Sequence, residues 1–395
     1  MKVLHISPWY APAWASGGTA VAATNLCEEL SKQGIDISVF TTTDMGGEKK
    51  ISESTIHEER RGVSVTYFSC GIFGSTKRQA ALSWELCIAI IKNTRKFDLV
   101  HIHSTRHIYG LAASYACRRA NVPYIITPHA SLMDFWVTSV GTSFFKKPYL
   151  KLIEKIVLSN ANSLHYLSDF ERSSSRKWSY NSSSVVIPNG IHSTEFEIDS
   201  TINRTKKPIK LIHVGRVHPQ KNTLAMIQAV GEFPASDVLL DIVGAVGDES
   251  FYKECTSFID SNNVKNIRFL GFKPFDDVQK LYMSYDLFCM PSLCEGVSMA
   301  LIEAASWGLP CLVSNQVGNH VEIAEDNAGL ICETRVDSII ANLNRLLEDE
   351  KLLPLLKKGA LDSSRKRYSL VKNVSSLKRE YTLLLQFMGN DLRGQ

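Results

Sequence analysis

An α/β chain of two tandem domains, each a parallel sheet with helices on both faces, is what the amino-acid pattern predicts. Three observations lead there. The chain has 395 residues, too many for one ordinary hydrophobic core, so two domains of roughly 150–200 residues are expected. Short β-branched runs alternate with longer helical patterns, which is the signature of parallel sheets. The alternation stops once, in the polar stretch Ser193–Pro208, and then restarts.

The first half supplies strand candidates at Val3–Ser7, Ile35–Thr42, Val63–Phe68, Asp98–His103, Tyr124–Pro128, Ser163–Leu167 and Val185–Gly190. Each ends in Gly, Pro, Ser, Asn or a similar turn former, and most are apolar throughout, as strands covered on both faces should be. Helix candidates between them are Gly18–Gln33, Gln79–Arg95 and His107–Arg119. The second half repeats the pattern with strands at Ile209–Gly215, Val238–Gly244, Ile267–Gly271, Asp286–Pro291, Pro310–Asn315 and Gly329–Glu333. Its helices are expected at Asn222–Glu232, Glu249–Asp260, Phe275–Tyr285, Val297–Trp307 and Asp337–Glu348, followed by Lys351–Arg367 and Val371–Met388. The implied domains are 1–192 and 209–370, joined by a linker at 193–208, with 371–395 as a last helix that crosses back to the first domain. Ligands of such sheets bind beyond the carboxyl ends of strands, so the loops after strands are where function is sought.

Composition excludes several classes. A hydrophobic share of 44% without low-complexity periods rules out a disordered or collagen-like chain. A net charge of +4 is too small an excess to announce a nucleic-acid binder. The 9 cysteines are odd in number and irregularly spaced, with no Cys-x-x-Cys. They read as reduced, buried small hydrophobes in a reducing compartment, not as a disulfide framework or a zinc site. No run reaches the roughly 18–20 apolar residues of a spanning helix, and Pro8 interrupts the N-terminal one. A cytoplasmic chain is expected, with or without peripheral attachment to the inner face of a membrane.

Three loops carry candidate chemistry. The loop after the first strand brings Gly17 and Gly18 to a helix start, where backbone amides meet an anion or a sugar, although a plain βα turn would look the same. It lacks the Gly-x-Gly-x-x-Gly of dinucleotide sites. The second is Gly215-Arg-Val-His-Pro-Gln-Lys221-Asn222, which opens a helix at a strand end. Arg216 offers a bidentate fork and Lys221 a point charge, a fitting clamp for a diphosphate. Solvated surface cations are the plainer alternative, but cations at a helix N-terminus oppose its dipole, which argues for an anion there. The third places Glu295 in a loop before a helix and Glu303 two turns into it, between Ile302 and Ala304. A carboxylate in an apolar segment needs partners, and sugar hydroxyls would serve. A surface position for each is the competing reading.

In order and spacing, these motifs resemble the retaining GT-B glycosyltransferases of family 4, of the bacterial cell-surface polysaccharide type. The resemblance rests on Gly215-Arg216-x4-Lys221-Asn222 and Glu295-x7-Glu303, and on Pro188-Asn-Gly190, Phe269-Leu-Gly271, Tyr285-Asp286, Pro291-Ser292, Gly308-Leu-Pro310 and Thr127-Pro-His129. It spans about residues 1–345. It implies a GT-B fold, two tandem Rossmann-like domains with sheets facing a cleft, and a hexosyltransferase acting on a nucleotide-diphosphate sugar without a metal. It implies that Arg216 and Lys221 hold the diphosphate and that Glu303 takes the ribose hydroxyls. Glu295 would contact the transferred sugar, with the backbone of Val297, Ser298 and Met299 near sugar and phosphate. Gly17 and Gly18 would lie near the diphosphate or acceptor, and His129 would face the sugar. The acceptor would be a glycan or lipid-linked glycan in polysaccharide, O-antigen or other glycoconjugate assembly. Ala130, Val297, Ser298 and Asn319 depart from the usual pattern and put the sugar preference in doubt. A nucleotide-sugar epimerase of the same fold, or a catalytically silent nucleotide-sugar binder, remains an alternative, since fold does not fix function.

The excess charge is local. Residues 1–200 hold 21 basic and 17 acidic residues, residues 201–395 hold 23 of each, and the window 143–180 alone has 7 basic against 3 acidic. Phe144 to Lys155 there would suit an anionic membrane surface, or equally a core-packed helix with a basic edge.

Overall fold

The computed structural model describes residues 1–45, 51, 54–70, 82–138, 147–181, 183–192 and 207–391. Most of the expected linker, the residues Phe144, Phe145 and Lys146, and the start of the expected helix Gln79–Arg95 lie outside the described residues. Two Rossmann-like α/β units result, one of Met1–Gly190 with Leu370–Gln395, the other of Ile191–Ser369.

The first unit holds an eight-stranded sheet of β1 (Lys2–Ile6), β2 (Asp36–Thr42), β3 (Ile56–Arg60), β4 (Val63–Phe68), β5 (Leu99–His103), β6 (Tyr124–Thr127), β7 (Ser163–Tyr166) and β8 (Ser184–Val186). Their order is β3-β4-β2-β1-β5-β6-β7-β8, parallel except for the β3–β4 pair. One face packs Leu4, Ile102, Ile126 and Leu164 against the helices Trp84–Asn93, Ile108–Ala120 and Lys155–Ser159. The other packs Val3, Val39 and Ile125 against the helices Gly18–Lys32 and Leu370–Asp391. That last helix is pinned where β8 ends, for Asn373 Nδ2 donates to Pro188 O at 3.2 Å. Gly190 is required there, since a Cβ would lie 2.4 Å from Leu370 Cα.

The second unit is a six-stranded all-parallel sheet of β9 (Ile209–Val214), β10 (Val238–Val243), β11 (Ile267–Gly271), β12 (Leu287–Met290), β13 (Cys311–Ser314) and β14 (Gly329–Cys332). The order is β11-β10-β9-β12-β13-β14. Its core includes Leu211, Met226, Leu240, Cys289, Leu312 and Leu343. The strand order reverses direction between β10 and β12 around β9, the switch point where such sheets bind ligands.

The structure adds elements that periodicity did not reveal. β3 is an edge strand of sequence Ile-His-Glu-Glu-Arg with its central residues exposed; charged edge strands resist unwanted pairing and carry no hydrophobic alternation. Helices Asp134–Thr138, Asp169–Ser175 and His320–Glu325 are too short to show a period. Only the second had a legible start, Ser168-x-x-Glu171, in which Ser168 Oγ accepts from Glu171 N at 3.1 Å. All nine cysteines are free and buried. Among the described residues no helix is long and apolar enough to cross a membrane.

Candidate functional site

The second unit gathers the predicted charged residues at the carboxyl ends of β9 and β12. After β9 the chain passes through Gly215 and Arg216 into a tight turn, Pro219–Lys221, and then the helix Thr223–Gly231. His218 Nδ1 accepts from Gln220 N at 3.2 Å, which shapes the turn. Asn222 takes the left-handed conformation (φ 56°) that Asn tolerates, and its side-chain amide donates to Pro291 O and Thr334 O at 3.0 and 2.8 Å. One residue therefore ties this loop to the chain after β12 and after β14.

Lys221 and Glu295 meet. Lys221 Nζ lies 2.8 Å from Glu295 Oε2, with the two side chains 13% and 18% exposed. Gln220 Nε2 donates to the same oxygen at 3.1 Å and to Cys294 O at 2.7 Å. Glu295 is further held by its backbone, N–H to Gln316 O at 3.1 Å. The two groups assigned to diphosphate and to sugar are thus one preassembled unit. Arg216 is exposed and has no ion pair among the described residues, so its fork is available to an anion.

Beneath them stands His213, fully buried in β9. Burial lowers its pKa to about 4, so it is neutral. Its Nδ1–H donates to Cys289 O at 2.8 Å, and its other nitrogen faces Gly215 without a partner among the described residues. A Cβ on Gly215 would come 3.2 Å from that nitrogen and 3.4 Å from Lys221 Cε. Glycine there lets the lysine stem cross the strand end. Gly244 (φ 152°) is stricter, since a Cβ would sit 1.9 Å from Gly215 O. That contact lets the loop after β10 lie against the Arg216 loop, with Val217 N donating to Ala245 O at 3.0 Å and Gly247 N to Val217 O at 3.0 Å.

Val297, Ser298 and Met299 are buried at the start of the helix Met299–Ser306. The first amides of a helix have no intrahelical acceptor, and Ser298 makes no side-chain cap. Their N–H groups have no hydrogen-bond partner among the described residues, and the helix dipole adds to their pull on an anion. Glu303 is 9% exposed, and burial alone raises its pKa to about 7. Its carboxylate makes no hydrogen bond among the described residues and stands ready for hydroxyl donors.

In the first unit, Gly17 and Gly18 lie beyond β1. Gly17 has φ 92°, which only glycine adopts easily, and Gly18 begins the helix Gly18–Lys32. His129 follows β6 in a turn where it and Ala130 both have positive φ, 51° and 65°. The turn is held by Glu171, whose Oε1 accepts from Ala130 N at 2.6 Å and Oε2 from Leu167 N at 2.8 Å. Burial raises the Glu171 pKa to about 7, and these amides oppose that shift. His129 is hydrogen-bonded to His103, and His103 to His5.

Gln220, His213, Gly244, Glu171, His103 and His5 escaped sequence reasoning. The histidines were marked by spacing, for positions 101 and 103 share one face of β5 beside position 5 of β1.

Comparison with known proteins matches the same two units. The family described as glycosyl transferase 4-like domain matches residues 17–190, and that described as glycosyl transferases group 1 matches residues 195–361. An Escherichia coli UDP-Gal:alpha-D-GlcNAc-diphosphoundecaprenol alpha-1,3-galactosyltransferase is 29% identical over 303 residues, 72% of this chain and 75% of that protein. Sucrose-phosphate synthase from Thermosynechococcus elongatus superposes with a TM-score of 0.78 at 17% identity, over 98% of this chain and 100% of that one. Anabaena HepE, solved with UDP and glucose, superposes at 0.74 with 17% identity, over 97% and 99%. These likenesses join the motif order and the two sheets. The chain is a GT-B glycosyltransferase of the family-4 type.

Proposed function

We propose that the enzyme transfers a sugar from a nucleotide-diphosphate sugar to an acceptor hydroxyl with retention of anomeric configuration, in polysaccharide, O-antigen or other glycoconjugate assembly. The observation that carries this reading is the β9 loop, which holds the unpaired Arg216 and, five residues on, the lysine of the Lys221–Glu295 pair. The galactosyltransferase relative is named for UDP-galactose and a diphosphoundecaprenol-linked sugar, and HepE was solved with UDP and glucose. Both support a nucleotide-sugar donor, and the galactosyltransferase's name also supports a lipid-linked glycan acceptor.

Breaking the sugar–phosphate bond leaves negative charge on the diphosphate and an oxocarbenium-like sugar. Fixed donors aimed at that charge contribute most to such catalysis. Arg216, Lys221 and the amides of Val297, Ser298 and Met299 take that role, in a site read as metal-independent. Glu295 orients the sugar and offsets positive charge at the ring. Its bond to Lys221 holds the two charged groups together before substrate arrives. Glu303, ionised, accepts from the ribose hydroxyls. His129 faces the sugar, and Gly17 and Gly18 give the backbone close approach to diphosphate or acceptor.

Peripheral membrane attachment is part of the proposal. The helix layer on one sheet face of the first unit exposes Leu152 (70%), Trp84 (62%) and Tyr115 (55%), among exposed Lys92, Arg118, Arg119, Lys147, Lys151 and Lys155. Apolar side chains within a basic field suit an anionic bilayer. Co-sedimentation with anionic vesicles should fall in Lys147/Lys151/Lys155→Glu; equal binding by both proteins refutes attachment there.

The donor is tested by thermal stabilisation with UDP-, GDP- and ADP-sugars. One of them at 100 times its Kd should add about 2.7 kcal/mol, and Lys221→Ala should remove most of that shift. No stabilisation by any, or full stabilisation of the variant, defeats the reading. EDTA should leave transfer intact; inhibition reversed only by Mg²⁺ or Mn²⁺ would show a metal requirement.

A further inference from the structure

One face of the first sheet carries four buried histidines, which with the half-buried His129 after β6 are joined into two hydrogen-bonded chains, and the direction of each chain can be worked out. Burial lowers the pKa of His5 and His129 to about 3 and of His165 to about 4, and it pushes those of His101 and His103 well down. All five are neutral. A neutral imidazole has one N–H and one lone pair, so every link in a chain fixes the next.

The first chain ends on a carbonyl. His165 Nε2 lies 2.8 Å from Ile187 O, which only accepts, so Nε2 carries the proton. His165 Nδ1 is then a lone pair and takes the Thr127 hydroxyl proton at 2.8 Å. Thr127 Oγ1 in turn accepts from His101 Nε2–H at 2.6 Å. His101 Nδ1 is left to accept from the Tyr381 hydroxyl at 2.5 Å. This chain is satisfied along its length and has one polarity.

The second chain runs His5, His103, His129. His5 Nδ1 lies 2.9 Å from His103 Nε2, and His103 Nδ1 lies 3.1 Å from His129 Nε2. It has two self-consistent polarities, and the choice falls at its buried end. His5 Nε2 has no hydrogen-bond partner among the described residues, and the residue is 0% exposed. Were the protons to run toward His5, this atom would be an orphaned buried N–H, the rarest kind of unsatisfied group. In the opposite direction it is a bare lone pair. Cys27, whose Sγ lies within 4.8 Å of a ring nitrogen of His5 and of one of His103, is a buried thiol kept protonated. A thiol offers a weak S–H to a lone pair and competes poorly as an acceptor.

We propose that His5 and His103 are positioning residues whose chain of hydrogen bonds fixes the His129 proton on Nδ1, so that His129 meets the substrate as a hydrogen-bond donor and not as a base. The direction is His5 Nδ1–H to His103 Nε2, then His103 Nδ1–H to His129 Nε2. With Nε2 already accepting, only Nδ1–H of His129 is left for substrate. This rests on the reading of His129 as facing the sugar.

The polarity is read in the wild-type protein by two-bond ¹H–¹⁵N correlation on the full chain labelled with ¹⁵N-histidine, with His129→Gln used only to assign signals. At neutral pH the His129 proton should reside on Nδ1. A proton on Nε2 overturns the proposal. His103→Leu should leave His129 a mixture of tautomers and lower kcat about tenfold, the worth of one such hydrogen bond, with KM for the donor little changed. His103→Asn restores an N–H near the Nδ1 position and should restore both tautomer and rate. If His103→Asn is as impaired as His103→Leu while His129 keeps its tautomer, His103 acts by packing and the positioning role is refuted. If the proton is on Nδ1 but His129→Gln transfers sugar at the wild-type rate, the substrate-facing role of His129 falls while the chain's polarity stands.

Discussion

The carboxyl edges of the two sheets are prepared for ligands in opposite ways. In the second unit the edge is charged and partly open, with the Lys221–Glu295 pair at 2.8 Å and an unpaired Arg216. In the first unit the edge carries instead a neutral cluster of five imidazoles, four of them buried, that hold only directional donors and lone pairs. The difference follows the chemistry each would meet. A diphosphate brings charge and is best answered by charge, which needs some solvent to be tolerable before the ligand arrives. A sugar brings neutral hydroxyls, and neutral groups of fixed polarity can be buried at small cost provided each is paired.

The comparison breaks first at the charged edge. Lys221→Ala should lower transfer on the order of 10²-fold or more, measured as kcat/KM for the donor. Glu295→Gln should also reduce the rate, by orienting the sugar less well. Because the two side chains touch, the double variant should lose less than the sum of the single losses in free energy. A wild-type rate in Lys221→Ala would mean that charge at this edge does not serve the reaction.

Next comes the frame beneath the charges. Gly244→Ala places a Cβ 1.9 Å from Gly215 O, a clash that only backbone movement relieves. The loss should be about 2–3 kcal/mol, seen by calorimetry as a lower transition in the second unit with the first unit's unchanged. Nucleotide binding should weaken along with it. An unaltered transition would show that the two loops have room to separate.

The neutral edge is probed by Thr127→Val, which keeps shape and removes the hydroxyl between His101 and His165. It strands a buried N–H and a lone pair, and should cost about 2 kcal/mol. This time the first unit should be destabilised while nucleotide binding by the second stays as in wild type. Equal weakening of nucleotide binding would tie the two edges together and undo the contrast.

How far this contrast was legible in the sequence follows from the same physics. Charged residues in loops after strands stand out, because strand ends in α/β sheets are recognisable and permanent charges are rare there; Arg216, Lys221 and Glu295 were singled out that way, and Glu303 as a carboxylate inside an apolar helical segment. Apart from Val185–Gly190, whose strand ends at Val186, the expected strands were located within a residue or two because runs such as Leu99–His103 are buried on both faces. The same runs hid the histidines, since His101 and His103 sit in an apolar stretch and their partners, His5, Thr127 and His165, come from three other strands. Pairing across a sheet is register, and register is not local. Gln220 and Gly244 were missed for the related reason that their worth lies in contacts with Glu295 and Gly215, which are distant in the chain.

The smallest effect tests where the contrast is least clean, at Glu303. It belongs to the charged edge, yet burial raises its pKa to about 7, so near neutral pH it is half protonated. For stability, the folded pKa lies above the unfolded value near 4.5. The neutral form is favoured by folding, and its contribution is full below about 4.5 and is lost as pH rises through about 7. For binding the sign is reversed. A carboxylate that accepts from two ribose hydroxyls must be ionised, so affinity for a nucleoside diphosphate should rise with pH from 6 to 8. The gain is at most tenfold per pH unit below the pKa and levels off above it. Glu303→Gln should flatten both curves, keep the fold, and bind the nucleotide more weakly at pH 8. If affinity is flat with pH in the wild-type protein, Glu303 does not hold the ribose; if it falls, the protonated acid is the binding form, and the charged edge ends at Glu295.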